Sequence, residues 1–236
     1  MSTIVERLAQ VRMRIAQAAM AAGRDPASIR LLAVSKTRPT TDLEAALAAG
    51  QTAFGESYLQ DALPKIAVIG ERAEWHFIGP IQSNKTRQVA RHFAWAHSVD
   101  RLKIAQRLSE QRPAWLPPLN VCLQVNTSGE DTKGGVSPEE TETLAAAVAA
   151  LPQLRLRGLM TIPAHTKDVR QQRQPFALLR KLLEQLNTRG YELDTLSMGM
   201  SNDLEAAIAE GATLVRIGTA IFGPRSTRRE KPDVME

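Results

Sequence analysis

A chain of 236 residues, 43% of them hydrophobic, can bury a full core and has room for one α/β barrel. Its net charge of +5 comes from 30 basic against 25 acidic residues spread along the chain, which reads as solvated helix faces and argues against nucleic-acid binding. The single cysteine, Cys122, rules out an internal disulfide and fits a reducing cytoplasm, and no apolar stretch is long enough to cross a bilayer.

The first predicted element is a helix. Thr3 and Glu6 have capping-box spacing, and Ile4, Leu8, Val11 and Ile15 follow helical periodicity. Arg7, Arg12 and Arg14 also lend this segment some transit-peptide character, but the cap and the apolar stripe favour a structural helix. From residue 29 onward, β-rich runs alternate with helical stretches. Strands are predicted at 29–35, 52–55, 74–79, 95–99, 119–126, 155–162, 195–198 and 213–217. Helix starts are read at Thr41 with Glu44 and at Ser137 with Pro138 and Glu140, and helix ends at Gly50, Gly190 and Gly211. Alternation repeated eight times predicts parallel strands closed into a barrel, with an open doubly wound sheet as the alternative. A weak internal echo relates Leu43-Glu-Ala-Ala-Leu-Ala-Ala-Gly50 to Leu204-Glu-Ala-Ala-Ile-Ala-Glu-Gly211. No low-complexity linker divides the chain, so one domain is expected over residues 1–223. A flexible tail is expected over 224–236, where Arg225, Arg228, Arg229 and Lys231 gather.

In such a barrel, chemistry gathers at the C-terminal ends of the strands. The first strand ends in Lys36 after an apolar run. Desolvation there would lower the lysine pKa and supply the neutral amine that attacks an aldehyde, whereas a surface lysine is the bland reading. Ser197 to Asp203 follows the seventh strand and Arg216 to Ala220 the eighth, the usual place for a phosphate in this fold. Ser201 and Thr219 offer hydroxyls, and Gly218 lets backbone approach an anion. Capping by Ser201 or Asn202 is the alternative. An amine at strand one with a phosphate cradle at strands seven and eight describes a site for a phosphorylated aldehyde. Arg216 lies two residues before Gly218 and so on the same side of its strand; it either faces a pyridine nitrogen, keeping it unprotonated, or pairs with a core carboxylate. Gly79, Gln82 and Asn84 are expected at the mouth after strand three. Asn126, Thr127, Ser128, Lys133 and Gly134 are expected there after strand five. His76, His92, His97 and His165 have no metal-ligand spacing and read as core or surface residues; no metal site is expected.

The motifs Ala33-Val34-Ser35-Lys36-Thr37, Phe54-Gly55-Glu56, Trp75 to Lys85, Leu159-Met160, Leu196 to Ser201, and Val215 to Thr219 with Ile221-Phe222-Gly223 form a recognisable set. With them the chain resembles the pyridoxal 5'-phosphate (PLP) homeostasis protein family, the YggS/PROSC group. The resemblance implies a single (β/α)8 TIM barrel of the alanine-racemase N-terminal-domain type, without that enzyme's second domain. It implies PLP carried as a Schiff base on Lys36, phosphate contacts from Ser201, Gly218 and Thr219, and Arg216 facing the pyridine nitrogen. It also implies a role in intracellular PLP and amino-acid homeostasis with no catalytic residues, a PLP-dependent racemase or related enzyme being the alternative. Expected partners are PLP, and PLP-dependent apoenzymes or free amino acids; nucleic acid and membrane are not expected, and a monomer is. The family usually has asparagine after Phe-Gly-Glu, where this chain has Ser57. Racemisation would need an acid–base group opposite Lys36. Tyr58 follows strand two at the correct end, and Tyr191 belongs at the far end.

Overall fold

The computed structural model describes residues 2–130, 134–166 and 168–224. Its strands are β1 (Arg30–Val34), β2 (Ala53–Glu56), β3 (Glu74–Phe77), β4 (Trp95–Val99), β5 (Leu119–Gln124), β6 (Leu154–Met160), β7 (Thr195–Ser197) and β8 (Leu214–Ile217). They pair in parallel and in chain order, and β8 returns to β1 to close the barrel. Each predicted strand is present, and closure settles the choice against an open sheet. β1, β3, β5, β6 and β7 stop one or two residues earlier than the apolar runs suggest, where the chain turns into the loops at the mouth of the barrel.

The helices are α1 (Ile4–Ala21), α2 (Thr40–Ala48), α3 (Leu59–Ile69), α4 (Thr86–His92), α5 (Leu102–Gln111), α6 (Thr141–Ala149), α7 (Val169–Thr188), α8 (Leu204–Ala209) and α9 (Thr219–Phe222). Thr3 and Glu6 close the capping box of α1, and Leu8, Val11 and Ile15 form its buried stripe. The arginines of this N-terminal region serve packing. Arg12 donates to the Ala49 carbonyl at 2.9 Å, at the end of α2, and Arg24 to the Ile208 carbonyl at 2.8 Å, which also accepts from the Gly211 amide at the end of α8. Arg14 pairs with Glu205 on α8 through two hydrogen bonds of 2.5 and 2.8 Å.

Two predicted helix starts fare differently. Ser137 accepts from the Glu140 amide at 3.2 Å, as its motif suggests, ahead of α6. Thr41 does not cap: α2 begins at Thr40 with Pro39 at the cap position and no side-chain cap bond. Gly50, Gly190 and Gly211 all take positive φ just beyond their helices. The expected tail lies outside the described residues apart from Pro224, as does Lys133. Among the described residues no helix is long and apolar enough to cross a membrane.

Alternation along the strands divides the core. Ala33, Trp75, Phe77, Leu123, Leu159, Leu196, Val215 and Ile217 belong to the large cluster that packs strands against helices. Their alternating neighbours form two smaller apolar clusters, Leu32, Ala53 and Leu214 in one and Trp95, Cys122 and Met160 in the other. Several of the remaining alternate positions are polar and fully buried: His76, His97 and Ser197, with Arg216 nearly so. Glycine is required at position 158, where a Cβ would lie 1.8 Å from the Thr195 carbonyl oxygen on β7.

Candidate functional site

At the C-terminal mouth of the barrel lies a cavity of about 370 Å³, within the size range of small-ligand sites. Lys36 lines one side, two residues past the end of β1. Its position is set by what flanks it. Ser35 is buried; its hydroxyl donates to Glu56 at 2.6 Å and its carbonyl accepts from Lys65 at 2.8 Å. Lys65 also bonds Glu56 at 2.7 Å. Burial pushes the Glu56 carboxyl up despite the neighbouring ammonium, and its Oε2 has no hydrogen-bond partner among the described residues. On the other flank Thr37 has φ of 63°, a left-handed conformation that a β-branched residue rarely adopts, so the chain reverses sharply beyond Lys36. Arg38 then donates to the Pro224 carbonyl at 2.8 Å and also to that of Gly223, latching the first loop onto the end of the barrel.

The adjoining wall comes from the loops after β7 and β8. Ser201, Arg216, Gly218 and Thr219 all line the cavity. Gly199 has φ of 93°, and a Cβ there would sit 2.6 Å from the Ala207 methyl, so the β7 loop can fold over α8 only with glycine. The Asp203 carboxylate accepts from the Met200 amide at 2.5 Å, and burial raises its pKa. α8 and α9 have six and four residues, so an anion here would rely on N–H and hydroxyl groups more than on aligned helix dipoles.

Arg216 sits at the floor. Its Nη1 donates to the Ser197 carbonyl at 2.5 Å and to Ser197 Oγ at 2.7 Å, and its Nη2 donates to the Thr161 carbonyl at 2.8 Å. These acceptors hold it; it forms no ion pair among the described residues, which removes the core-carboxylate reading. Burial lowers its pKa to about 10, so it remains a cation at neutral pH. Of its five N–H groups, Nε–H and one Nη2–H are left for a ligand.

Five residues singled out from sequence, Lys36, Ser201, Arg216, Gly218 and Thr219, thus meet at one cavity, and Ser57 joins its wall. Others do not reach it. Gln82 and Asn84 are exposed because the chain turns away after Ile78, and Gly79 packs so closely on Ser57 that a Cβ would come within 2.2 Å of its carbonyl oxygen. Thr127 and Ser128 support the β6 loop, bonding Thr161 at 2.8 Å and the Ala164 amide at 2.9 Å. Asn126 is likewise absent from the lining, and Gly134 is exposed. Tyr58 is exposed at the start of α3 and lines nothing here, while Tyr191 packs on the helix-layer core ahead of β7. Sequence reading missed His165, which lines the cavity, and the buried His76–His97–Ser197 cluster behind Arg216. No group of three or more metal-ligating side chains occurs among the described residues.

A profile of the alanine racemase N-terminal domain family matches residues 7–226. The pyridoxal phosphate homeostasis protein of Pseudomonas aeruginosa is 65% identical over 226 residues, covering 95% of this chain and 97% of the relative. The chain belongs to that family. Its Escherichia coli member is 54% identical over 95% of this chain and 98% of its own length. A third relative, PipY of Synechococcus elongatus, has a structure solved with PLP bound. It matches with a TM-score of 0.80 at 35% identity, covering 94% of this chain and all of the other. The closed (β/α)8 barrel described above agrees with that solved structure over the 94% of this chain that the match covers.

Proposed function

We propose that this chain binds PLP in the cavity at the barrel mouth, attached covalently through the Lys36 amine, and acts in PLP homeostasis in the cell. The observation that carries the reading is the convergence of one primary amine, one buried guanidinium with two N–H groups still to spare, and two hydroxyls on a cavity of about 370 Å³. That donor set fits a phosphorylated aldehyde with a ring nitrogen. Lys36 would anchor the aldehyde carbon, and Ser201, Thr219 and the Gly218 backbone would receive the phosphate. Arg216, a permanent donor, would face the pyridine nitrogen and discourage its protonation. The names of the close relatives and the PLP-bound structure of PipY support the same assignment. When bound, PLP supplies an electrophilic carbonyl and an electron sink, the latter weakened by an unprotonated ring.

The proposed role is that of a carrier working as a monomer in the cytoplasm, delivering to or receiving from PLP-dependent apoenzymes or free amino acids. Racemisation needs acid–base groups on both faces of a carbon. No tyrosine lines the cavity, and His165 is the group opposite the β1 wall that could overturn this part of the reading. The test is borohydride reduction of the PLP-loaded protein followed by peptide mapping. Label on Lys36, lost in Lys36→Ala with the fold intact, is expected; label on another lysine would refute the assignment. Multiple turnovers on single enantiomers of alanine in deuterated water, abolished by His165→Gln, would make the protein an enzyme.

A further inference from the structure

Behind Arg216 a chain of polar contacts runs through the barrel interior to its far end. Ser197 Oγ lies 2.8 Å from His97 Nδ1, His97 Nε2 lies 2.9 Å from His76 Nδ1, and His76 Nε2 lies 2.6 Å from Glu74 Oε1. Glu74, the first residue of β3, is half-exposed and pairs with Arg30, the first residue of β1, at 2.9 Å. His76, His97, Ser197 and Arg216 are each the third residue of their strands, so four strands contribute one inward side chain apiece. Trp95 stacks on His76 with ring planes 6° apart, covering the ring from the side.

The partners dictate the direction of every bond. The Glu74 carboxyl, held low by its hydrogen bonds to His76 and to the Arg30 guanidinium, is ionised at neutral pH and can only accept, so His76 Nε2–H donates to it. Burial holds His76 neutral, which leaves its Nδ1 bare to accept from His97 Nε2–H. His97 Nδ1 is then bare in turn and accepts the Ser197 hydroxyl proton, so the lone pairs of Ser197 Oγ are free for Arg216. All donors point away from the cavity. A net proton shift along the chain would take a proton from Arg216, which keeps it to about pH 10, and place it on Glu74, which releases it at about 2. That transfer, from a guanidinium that holds its proton to a carboxyl that stays ionised, is strongly unfavourable, which leaves orientation as the role of the chain.

We propose that His97, His76 and Glu74 are positioning residues that fix the donor geometry of Arg216 in the cavity from the opposite end of the barrel. Arg216 is buried without an ion pair among the described residues, so the orientation of its acceptors decides where its remaining N–H groups point. Without His97, the Ser197 hydroxyl proton would compete with Nη1–H for the space between the two side chains.

The proposal rests on PLP being the ligand, and its test separates the two. Nitrogen-15 NMR of the ligand-free protein at pH 7 should find both His76 and His97 neutral with the proton on Nε2. An imidazolium or an Nδ1–H ring in either would overturn the chain, whatever the ligand. Uptake of PLP is then compared in wild type, His97→Phe, His97→Asn and Glu74→Gln, with thermal melts to establish folding. In His97→Phe, Lys36 should still be labelled after borohydride reduction, while affinity falls roughly threefold to thirtyfold and the visible circular dichroism of bound PLP changes as the ring tilts. His97→Asn keeps an amide against Ser197 and should restore most of both. Glu74→Gln, at the half-exposed end where folding is least at risk, should show the same changes to a smaller extent. Dichroism and affinity within twofold of wild type in the folded variants would refute positioning. Absence of PLP from wild-type Lys36 would instead refute the ligand assignment and leave the NMR result to stand alone.

Discussion

Mild acid should weaken this fold through its buried histidines. His76 is wholly buried and hydrogen-bonded as a neutral ring, and desolvation, opposed only in part by Glu74, lowers its pKa to about 4. In the unfolded chain the same side chain takes up a proton near its ordinary 6.5. Between these values the unfolded state binds a proton that the native state refuses, so stability falls as pH falls, and the loss stops below about 4. At about 1.4 kcal/mol per pH unit, the window from 6.5 to 4 amounts to about 3 kcal/mol, a sizeable share of the 5–15 kcal/mol that holds a typical domain. His97, pushed well below its ordinary value, acts in the same direction. Glu56 and Asp203 act oppositely: burial raises their pKa values, so the folded state gains protons first and recovers some stability as pH falls. The diagnostic is therefore a difference. Urea unfolding midpoints would be followed from pH 7 to 4.5 in wild type and in His76→Gln, whose amide cannot titrate. The wild-type curve should fall more steeply by about one proton's worth. Parallel curves would refute the claim that His76 is held neutral in the fold.

Four other outcomes are expected. Ser201→Ala should weaken PLP about tenfold or more while affecting unphosphorylated pyridoxal little, with a smaller loss from Thr219→Val because Thr219 is exposed; equal losses for both ligands in titrations would place the phosphate elsewhere. Gly158→Ala forces a methyl into the Thr195 backbone and should cost more than about 4 kcal/mol or abolish soluble protein; a melting temperature near wild type would contradict the packing. Lys65→Met leaves Glu56 buried without its cation and should destabilise by about 3–5 kcal/mol, whereas adding Glu56→Gln should recover much of that loss in a denaturation cycle. Ser57→Asn should shift PLP affinity by less than about threefold, since serine can reach a ligand through water; a gain of orders of magnitude would mark Ser57 as a weakening substitution.

The eight strands were legible because alternating apolar runs bounded by helix caps can pack in few ways, and Lys36, Arg216 and Gly218 were legible because strand ends in such a fold converge. Closure was read only from the strand count, with an open sheet as the alternative, since Leu214 and Val215 pair with Arg30 and Leu31 from far along the chain and leave no local mark. Gln82 and Asn84 were misplaced because one turn after Ile78 decides whether the loop faces the cavity, and no residue type there announces it. The chain behind Arg216 escaped for a related reason. A histidine at an inward strand position reads the same whether it is isolated or bonded to a histidine 21 residues away, and Ser197 stands 100 residues from its partner His97. The Ser35–Glu56–Lys65 group had a faint signal in the glutamate closing an otherwise apolar strand, but its lysine sits on the next helix, where lysine is commonplace.

The cavity straddles the seam at which the barrel closes. Lys36 leaves the first strand, Ser201, Arg216 and Thr219 belong to the last two, and the Arg38 latch joins the same two ends. Synthesis proceeds from the N-terminus, so a ribosome-bound chain displays Lys36 early and lacks the adjoining wall until residues 201–219 have emerged. On the proposed function, capacity for a phosphorylated ligand is therefore acquired late, and a chain released before residue 201 would carry Lys36 without the other cavity groups. Conversely, a ligand spanning the seam bridges the first and last strands, so its binding energy falls directly on the pairing that turns a sheet with two edges into a ring with none.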